Sequence, residues 1–212
     1  MSGPIPTANQ RLRGIAVAQP TLDEDAYMAL ADTIEVAWDL AAILHRDQKV
    51  PGTGLPYLKH LGMVTFEIFA AHAIEPIDNL RLAILCAILH DSVEDQNASL
   101  TLIGNRFGMS VAAGVQALSK DPSLPKSEAM SDSLRRITAE PKAVWCVKLA
   151  DRIANLQGAP PNWGKAKIER YRQEAVLILE ALAPANSVLA RRLARQIERY
   201  PERPLVEKGE RT

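Results

Sequence analysis

Residues 80–95 read LRLAILCAILHDSVED, a run of apolar residues that ends abruptly in four groups able to bind a cation or carry a proton. Apart from Arg81, the first ten residues show no polar face at the 3.6-residue period, and a helix that is apolar all round belongs in a core. With Pro76 and Asp78 opening it, the pattern predicts a helix over residues 78–93. His90, Asp91, Glu94 and Asp95 follow directly. On one continuous helix, the i, i+4 rule pairs His90 with Glu94 and Asp91 with Asp95. A carboxylate buried without a partner is costly or is driven to its neutral form. A cation shared by Asp91 and a neutral imidazole removes that conflict. The plainer alternative is a solvated helix end.

Working outward, helical periodicity starts near Asp25, where Tyr27, Leu30, Ile34, Trp38, Ala41 and Leu44 form one apolar stripe. Clustered Pro and Gly in residues 50–56 (VPGTGLP) end that helix, and a second is predicted over 57–72. Ser99 or Thr101 caps a short helix that stops at Phe107-Gly108. Further helices are predicted over 111–118, 126–138, 141–157, 165–182 and 185–200. No segment alternates with period two over a useful length, so no sheet is expected. The predicted fold is an all-α, single-domain helical bundle with a metal site between helices. Its expected organisation is an N-terminal arm over residues 1–24, the helical domain over 25–200, and a loose charged tail over 201–212.

The chain has 212 residues, enough for one domain with a substantial core. Lys+Arg and Asp+Glu are equal at 25 each, and this balance argues against a general nucleic-acid binder. Two cysteines, Cys86 and Cys146, both lie in apolar stretches. They read as buried free thiols, consistent with a reducing cytoplasm. No uncharged apolar run approaches the roughly 18 residues that span a bilayer, and the first residues lack the apolar centre of a signal peptide. The expectation is a cytoplasmic protein with neither membrane nor nucleic acid as partner.

Two more groups suit the same chemistry. His60 lies in GLPYLKHLGMV, beside the Pro/Gly loop, and Asp151 lies in AVWCVKLADRIANLQ. Alone, His60 reads as a surface or capping residue. Lys148, Asp151 and Asn155 form one polar strip that alone reads as solvent-facing. Two histidines and two aspartates from three helices suit a borderline divalent ion with positions left open for water and substrate.

Together these residues resemble a known family. His45…Gln48 (HRDQK), Gly54-Leu-Pro-Tyr-Leu-Lys-His60, Leu89-His90-Asp91-Ser-Val-Glu94-Asp95, Phe107-Gly108 and Lys148-Leu-Ala-Asp151-Arg152…Asn155 are similar to the HD hydrolase domain of RelA/SpoT-type enzymes. The likeness runs in order over about residues 25 to 182, and extends to Asn162-Trp163-Gly164 and Tyr171. In length the chain is similar to the single-domain small alarmone hydrolases, including the animal SpoT-like type. The resemblance implies hydrolysis of ppGpp and pppGpp, the alarmones of the stringent response, to GDP or GTP and pyrophosphate. It implies a Mn²⁺ ion held by His60, His90, Asp91 and Asp151, with Glu94 and Asp95 orienting and deprotonating the attacking water. It also implies substrate contacts from Lys49, Lys148, Arg152, Asn155 and Tyr171.

The chain departs from the family pattern at three places. Lys49 and Val50 stand where basic residues, commonly arginine, are usual. Lysine is a point charge and stacks poorly on a purine, so Lys49 is expected to hold phosphate more than base. Leu61 replaces a proline after the histidine, and Ser119-Lys120 replaces a Thr-Lys pair. The alternatives are an HD phosphohydrolase on another nucleotide, such as the 2′-phosphate of NADPH, a non-catalytic alarmone-binding protein, and a helical scaffold without ligand. Retention of both Glu94 and Asp95 speaks against a binding-only role, which needs no further carboxylates beside a metal.

Overall fold

The computed structural model describes residues 24–201, so the expected arm (bar Glu24) and all of the tail but Pro201 lie outside the described residues. The helix expected from the decisive stretch is the centre of the molecule. It spans Leu80–Leu89 (called α3 below), and every residue from Leu82 to Leu89 is buried. Fully burying an aliphatic side chain stabilises by about 1.5–3 kcal/mol, so Ile84, Leu85, Ile88 and Leu89, all inaccessible, anchor the fold. Asn79, at φ 54°, starts α3 by accepting the Leu82 amide through its side chain at 3.2 Å.

Around it stand α1 (Glu24–Leu44), α2 (Leu58–His72), α6 (Met109–Leu118) and α8 (Lys142–Asn155), each packed on α3. The short helices α4 (Ser92–Gln96) and α5 (Leu100–Phe107) connect α3 to α6, and α7 (Lys126–Thr138) leads into α8. On the far side of α8 lie α9 (Lys165–Leu182), a 3₁₀ turn (Ala183–Ala185) and α10 (Ser187–Arg199). Leu189, Leu193 and Ile197 recur every fourth residue on α10 and are its buried stripe. Buried side chains from all the long helices join one cluster. No strand occurs among the described residues; extended pairing is an isolated bridge between Lys49 and Pro56. Nor is any of their helices long and apolar enough to cross a membrane. Cys86 and Cys146 are buried free thiols, and burial pushes both up to about 12.

Two expectations are corrected. The helix predicted over 78–93 breaks at His90 and Asp91; Asp91, at φ −98° and ψ 0°, turns the chain into α4. His90 therefore does not pair with Glu94, and its ring turns back toward Asp91. On α1, the second half carries the contact through buried Ala37 and Ala41, while Tyr27 is 56% exposed. Alanines let α1 approach α3 closely, and Ile34 and Trp38 of the expected stripe pack against the core beside them.

Gly114 shows how tightly α6 meets its neighbours. A Cβ there would lie 2.7 Å from Cys86 Sγ and 3.0 Å from Val144 Cγ2. Gly114→Val should therefore destabilise by about 2–3 kcal/mol through overpacking, despite leaving the helix period intact. Urea unfolding measures it, and an unchanged midpoint would show that α6 has slack against α3 and α8.

Candidate metal centre

The break after α3 has a chemical consequence. The His90 Nδ1–H donates to the Ala87 carbonyl at 2.8 Å, which fixes the tautomer and leaves the Nε2 lone pair facing inward. His90 Nε2 lies 2.9 Å from Asp91 Oδ2 and 3.3 Å from His60 Nε2. From α2, His60 Nε2 is 3.6 Å from Asp91 Oδ2; from α8, Asp151 Oδ1 is 3.4 Å from His60 and 3.8 Å from His90. His60, His90 and Asp91 each offer one donor atom within 4.8 Å of the others. Two imidazole nitrogens and carboxylate oxygens meeting in the core fit a borderline divalent cation.

Both carboxylates receive further donors. Tyr57 donates its hydroxyl to Asp91 Oδ2 at 2.6 Å. Lys148 donates to Asp151 Oδ2 at 2.9 Å and Asn155 to Asp151 Oδ1 at 2.6 Å. Two of the three residues of the polar strip of α8 thus face inward, Lys148 and Asp151 at 7% and 6% exposed, while Asn155 at the helix end is exposed. His45, Tyr57, His60 and His90 form a continuous run of rings, with successive centroids 5.2, 5.1 and 5.3 Å apart.

The loop between α1 and α2 delivers that run. Val50 N–H donates to the Leu55 carbonyl and Tyr57 N–H to the Gln48 carbonyl, both at 3.0 Å, closing the Pro/Gly segment on itself. Gly52 permits this at φ 75°, where a Cβ would also meet Pro160 at 3.0 Å. Gln48 is thereby fixed. Its Oε1 accepts from His45 Nδ1–H and from Gln96, both at 2.6 Å, so its Nε2 must face Asp95, to which it donates at 2.7 Å. Glu94 accepts the Lys120 amide at 2.8 Å, with the Lys120 ammonium 3.9 Å away. Gln48 and Tyr57 lay inside the quoted motifs, yet sequence spacing assigned them no role.

The other residues singled out from the sequence are placed as follows. Asn155 and Tyr171 line a cleft of about 560 Å³ that reaches His60. Arg152 is buried behind Tyr171, with its guanidinium carbon 4.1 Å from the ring centroid and Nη2 3.5 Å from Glu174. The Lys148 ammonium is spent on Asp151. Lys49 is exposed on the loop.

Burial opposes a charge on His60, but hydrogen bonds to Asp151 and Asp91 outweigh it and lift its pKa to about 9. Burial would likewise raise Asp91 and Asp151. The facing His90 outweighs it for Asp91, and Lys148 with the imidazoles does so for Asp151, holding both well below the usual carboxylate range. Asp95 is raised, by burial first and by Asp91 second, with Gln48 opposing. Without a cation, then, protons on the imidazoles balance the carboxylates.

This sets a pH dependence. The His60 pKa rises from 6.5 unfolded to about 9 folded. Its contribution to stability is full below pH 6.5 and is lost as pH rises through 9. The carboxylate contributions, from lowered pKa values, vanish only in acid, outside this window. Chelator-treated protein should therefore unfold at lower urea at pH 9 than at pH 6.5, and cation uptake below pH 9 should release protons. Stability that rises over that interval would contradict the pairing.

Comparison with known proteins gives the geometry a context. Guanosine-3′,5′-bis(diphosphate) 3′-pyrophosphohydrolase MESH1 of Mus musculus is 28% identical over 174 residues, covering 79% of this chain and 94% of its own. The guanosine-3′,5′-bis(diphosphate) 3′-pyrophosphohydrolase of Aquifex aeolicus is 28% identical over 153 residues, 66% of this chain but 20% of that longer protein. Among solved structures, the metazoan ortholog of SpoT described as hydrolysing ppGpp superposes with a TM-score of 0.69 at 25% identity, covering 80% of this chain and 97% of the other. With residues 37–188 matching the HD domain, a span that holds all four converging side chains, the chain belongs to the HD domain family.

Proposed function

We propose that this chain is a Mn²⁺-dependent hydrolase that removes the 3′-pyrophosphate of ppGpp and pppGpp, giving GDP or GTP and pyrophosphate, in the cytoplasm. One observation carries the reading: two inward imidazoles and two carboxylates converge beside a third carboxylate, Asp95, that is raised in pKa and fixed by Gln48. The similarity to MESH1 supports the choice of substrate.

In this reading His60, His90, Asp91 and Asp151 hold the ion. The donor set suits it, and once bound it supplies Lewis acidity that acidifies water and offsets charge on phosphoryl oxygens. Asp95 and Glu94 take the proton of the attacking water at their carboxylate oxygens. A raised Asp95 brings its pKa closer to neutral pH, where a base is most effective. Gln48 prevents the Asp95 carboxylate from turning away, and the Lys120 amide does the same for Glu94. Lys148 and Asn155 keep Asp151 aimed at the centre; Lys148 acts there and not on phosphate. Arg152 braces Tyr171, which with Asn155 forms the wall against the nucleoside. Lys49, free on its loop, attracts the phosphates.

The deciding experiment incubates the purified full chain and Mn²⁺ with ppGpp, pppGpp, NADPH and common nucleotides, and follows pyrophosphate and phosphate. Pyrophosphate should appear from the two alarmones and stop with a chelator. Its absence, or phosphate from NADPH alone, would sink the reading. Asp91→Ala should lose both metal and turnover. Glu94→Gln should keep the metal and lose roughly a hundredfold in rate; metal loss in that variant would instead make Glu94 a ligand.

A further inference from the structure

The cleft beside His60 has an uneven charge. The loop after α1 and the loop after α8 form its walls, with apolar side chains such as Leu55, Met63 and Trp163. Among the described residues lining it, no aspartate or glutamate occurs, and Lys59 is the one lysine or arginine. Lys59 is next to His60 in the first turn of α2, so the same helix start that fixes the imidazole fixes this ammonium at the cleft wall. Its Nζ donates to Gln157 Oε1 at 2.9 Å, across the cleft from α2 to the end of α8. Gln157 is neutral, so the charge on Lys59 is oriented without being cancelled. An ammonium has three donors, and two remain for an incoming anion.

Lys49 is exposed on its loop and does not line the cleft, and four other cations near the centre have partners of their own. Lys148 is held by Asp151 and Arg152 by Glu174. Lys120 faces Glu94. Lys167 lies over the Trp163 ring at 4.0 Å, in a second cavity that also contains Glu174 and no member of the converging cluster. The first cleft touches that cluster through His60 but is lined by none of Asp91, Glu94 and Asp95. The cleft thus offers room, past His60, for the unreacting end of a substrate held beside those carboxylates.

We infer that Lys59 is a specificity-determining residue that binds the 5′-diphosphate of a guanosine nucleotide whose 3′ end is at the metal centre; the substrate class rests on the function proposed above. Lys59 thereby selects nucleotides phosphorylated at both ends over those phosphorylated only at the reacting end. Its ammonium donates to phosphate oxygens with charge assistance, while Gln157 retains the third N–H.

Binding to the products separates this from turnover. Calorimetry with the Mn²⁺-loaded full chain would use GDP, guanosine and pyrophosphate as probes. Lys59→Met should weaken GDP about tenfold and flatten its salt dependence, leaving guanosine and pyrophosphate unchanged. Lys59→Arg, which keeps the charge, should restore most of the GDP affinity. With ppGpp, Lys59→Met should raise KM about tenfold at near-constant kcat. An unchanged GDP affinity would overturn the inference, as would an equal loss for guanosine, or a loss confined to Lys167→Met, which would move the anion to the second cavity. If wild-type protein released no pyrophosphate from ppGpp yet bound GDP in a Lys59-dependent way, the proposed reaction would fail and the phosphate contact would stand.

Discussion

Two carboxylates, Asp91 and Asp151, stand against a core built mainly from Leu, Ile, Val and Ala, and their charge governs what surrounds them. An isolated buried carboxylate would cost several kcal/mol and would neutralise itself. Here each keeps its charge because donors converge on it: Tyr57 and the imidazoles on Asp91, and Lys148, Asn155 and His60 on Asp151. The donors come from the α1–α2 loop, α2, the end of α3 and α8. Packing those helices together and neutralising the carboxylates are one problem. A cation in place of the imidazole protons solves it with less strain, since it removes the proximity of His60 and His90 as two positive rings.

The break at the end of α3 follows from the same demand. A helix carried through residue 93 would send His90 and Asp91 about 100° apart around its axis. Ending it at Leu89 lets the adjacent side chains meet at 2.9 Å. It also starts α4 in a new direction, so that Asp95 meets Gln48 and Glu94 meets the Lys120 amide. Four charged residues within six positions are therefore divided: two point into the core and two toward groups that only orient them.

Much of this was legible in the sequence, for identifiable reasons. The apolar run before His90 reads as a core helix and the Pro/Gly segment as a loop, so the all-α architecture followed from local chemistry; His60, which alone reads as a surface or capping residue, is buried because α2 packs on α3 and α8. Asp151 was harder, because Lys148, Asp151 and Asn155 at helical spacing look like a solvated strip; only the helices packed over α8 bury Lys148 and Asp151, and Asn155 stays exposed. The break at His90 was illegible, since neither His nor Asp compels a helix to stop. Gln48 and Gln157 were illegible in role for a different reason. A glutamine's function lies in which partner fixes its amide, and the partners of Gln48 at Asp95 and Gln96 are 47 and 48 residues away.

The site has two halves with different mechanical properties. The cluster of His60, His90 and Asp151 is buried, with its members hydrogen-bonded into three helices, so a small displacement of any one disturbs the others. The cleft is made of loops that meet at Gly52 and Pro160, and of side chains such as Lys59 and Trp163, whose contacts are to Gln157 and Tyr171 and not to the cluster. Chemistry and recognition are thus physically separable: the first is fixed by charge compensation in the core, while the second can vary with loop sequence. Lys49 and Val50, at the start of such a loop, are where this chain departs from the basic residues usual in the family it resembles; Lys49 is exposed, while Val50 packs against the edge of the core. A cation lost from one wall of the cleft can be supplied from another without moving His60, and Lys59, on the adjacent helical turn, is placed to supply it.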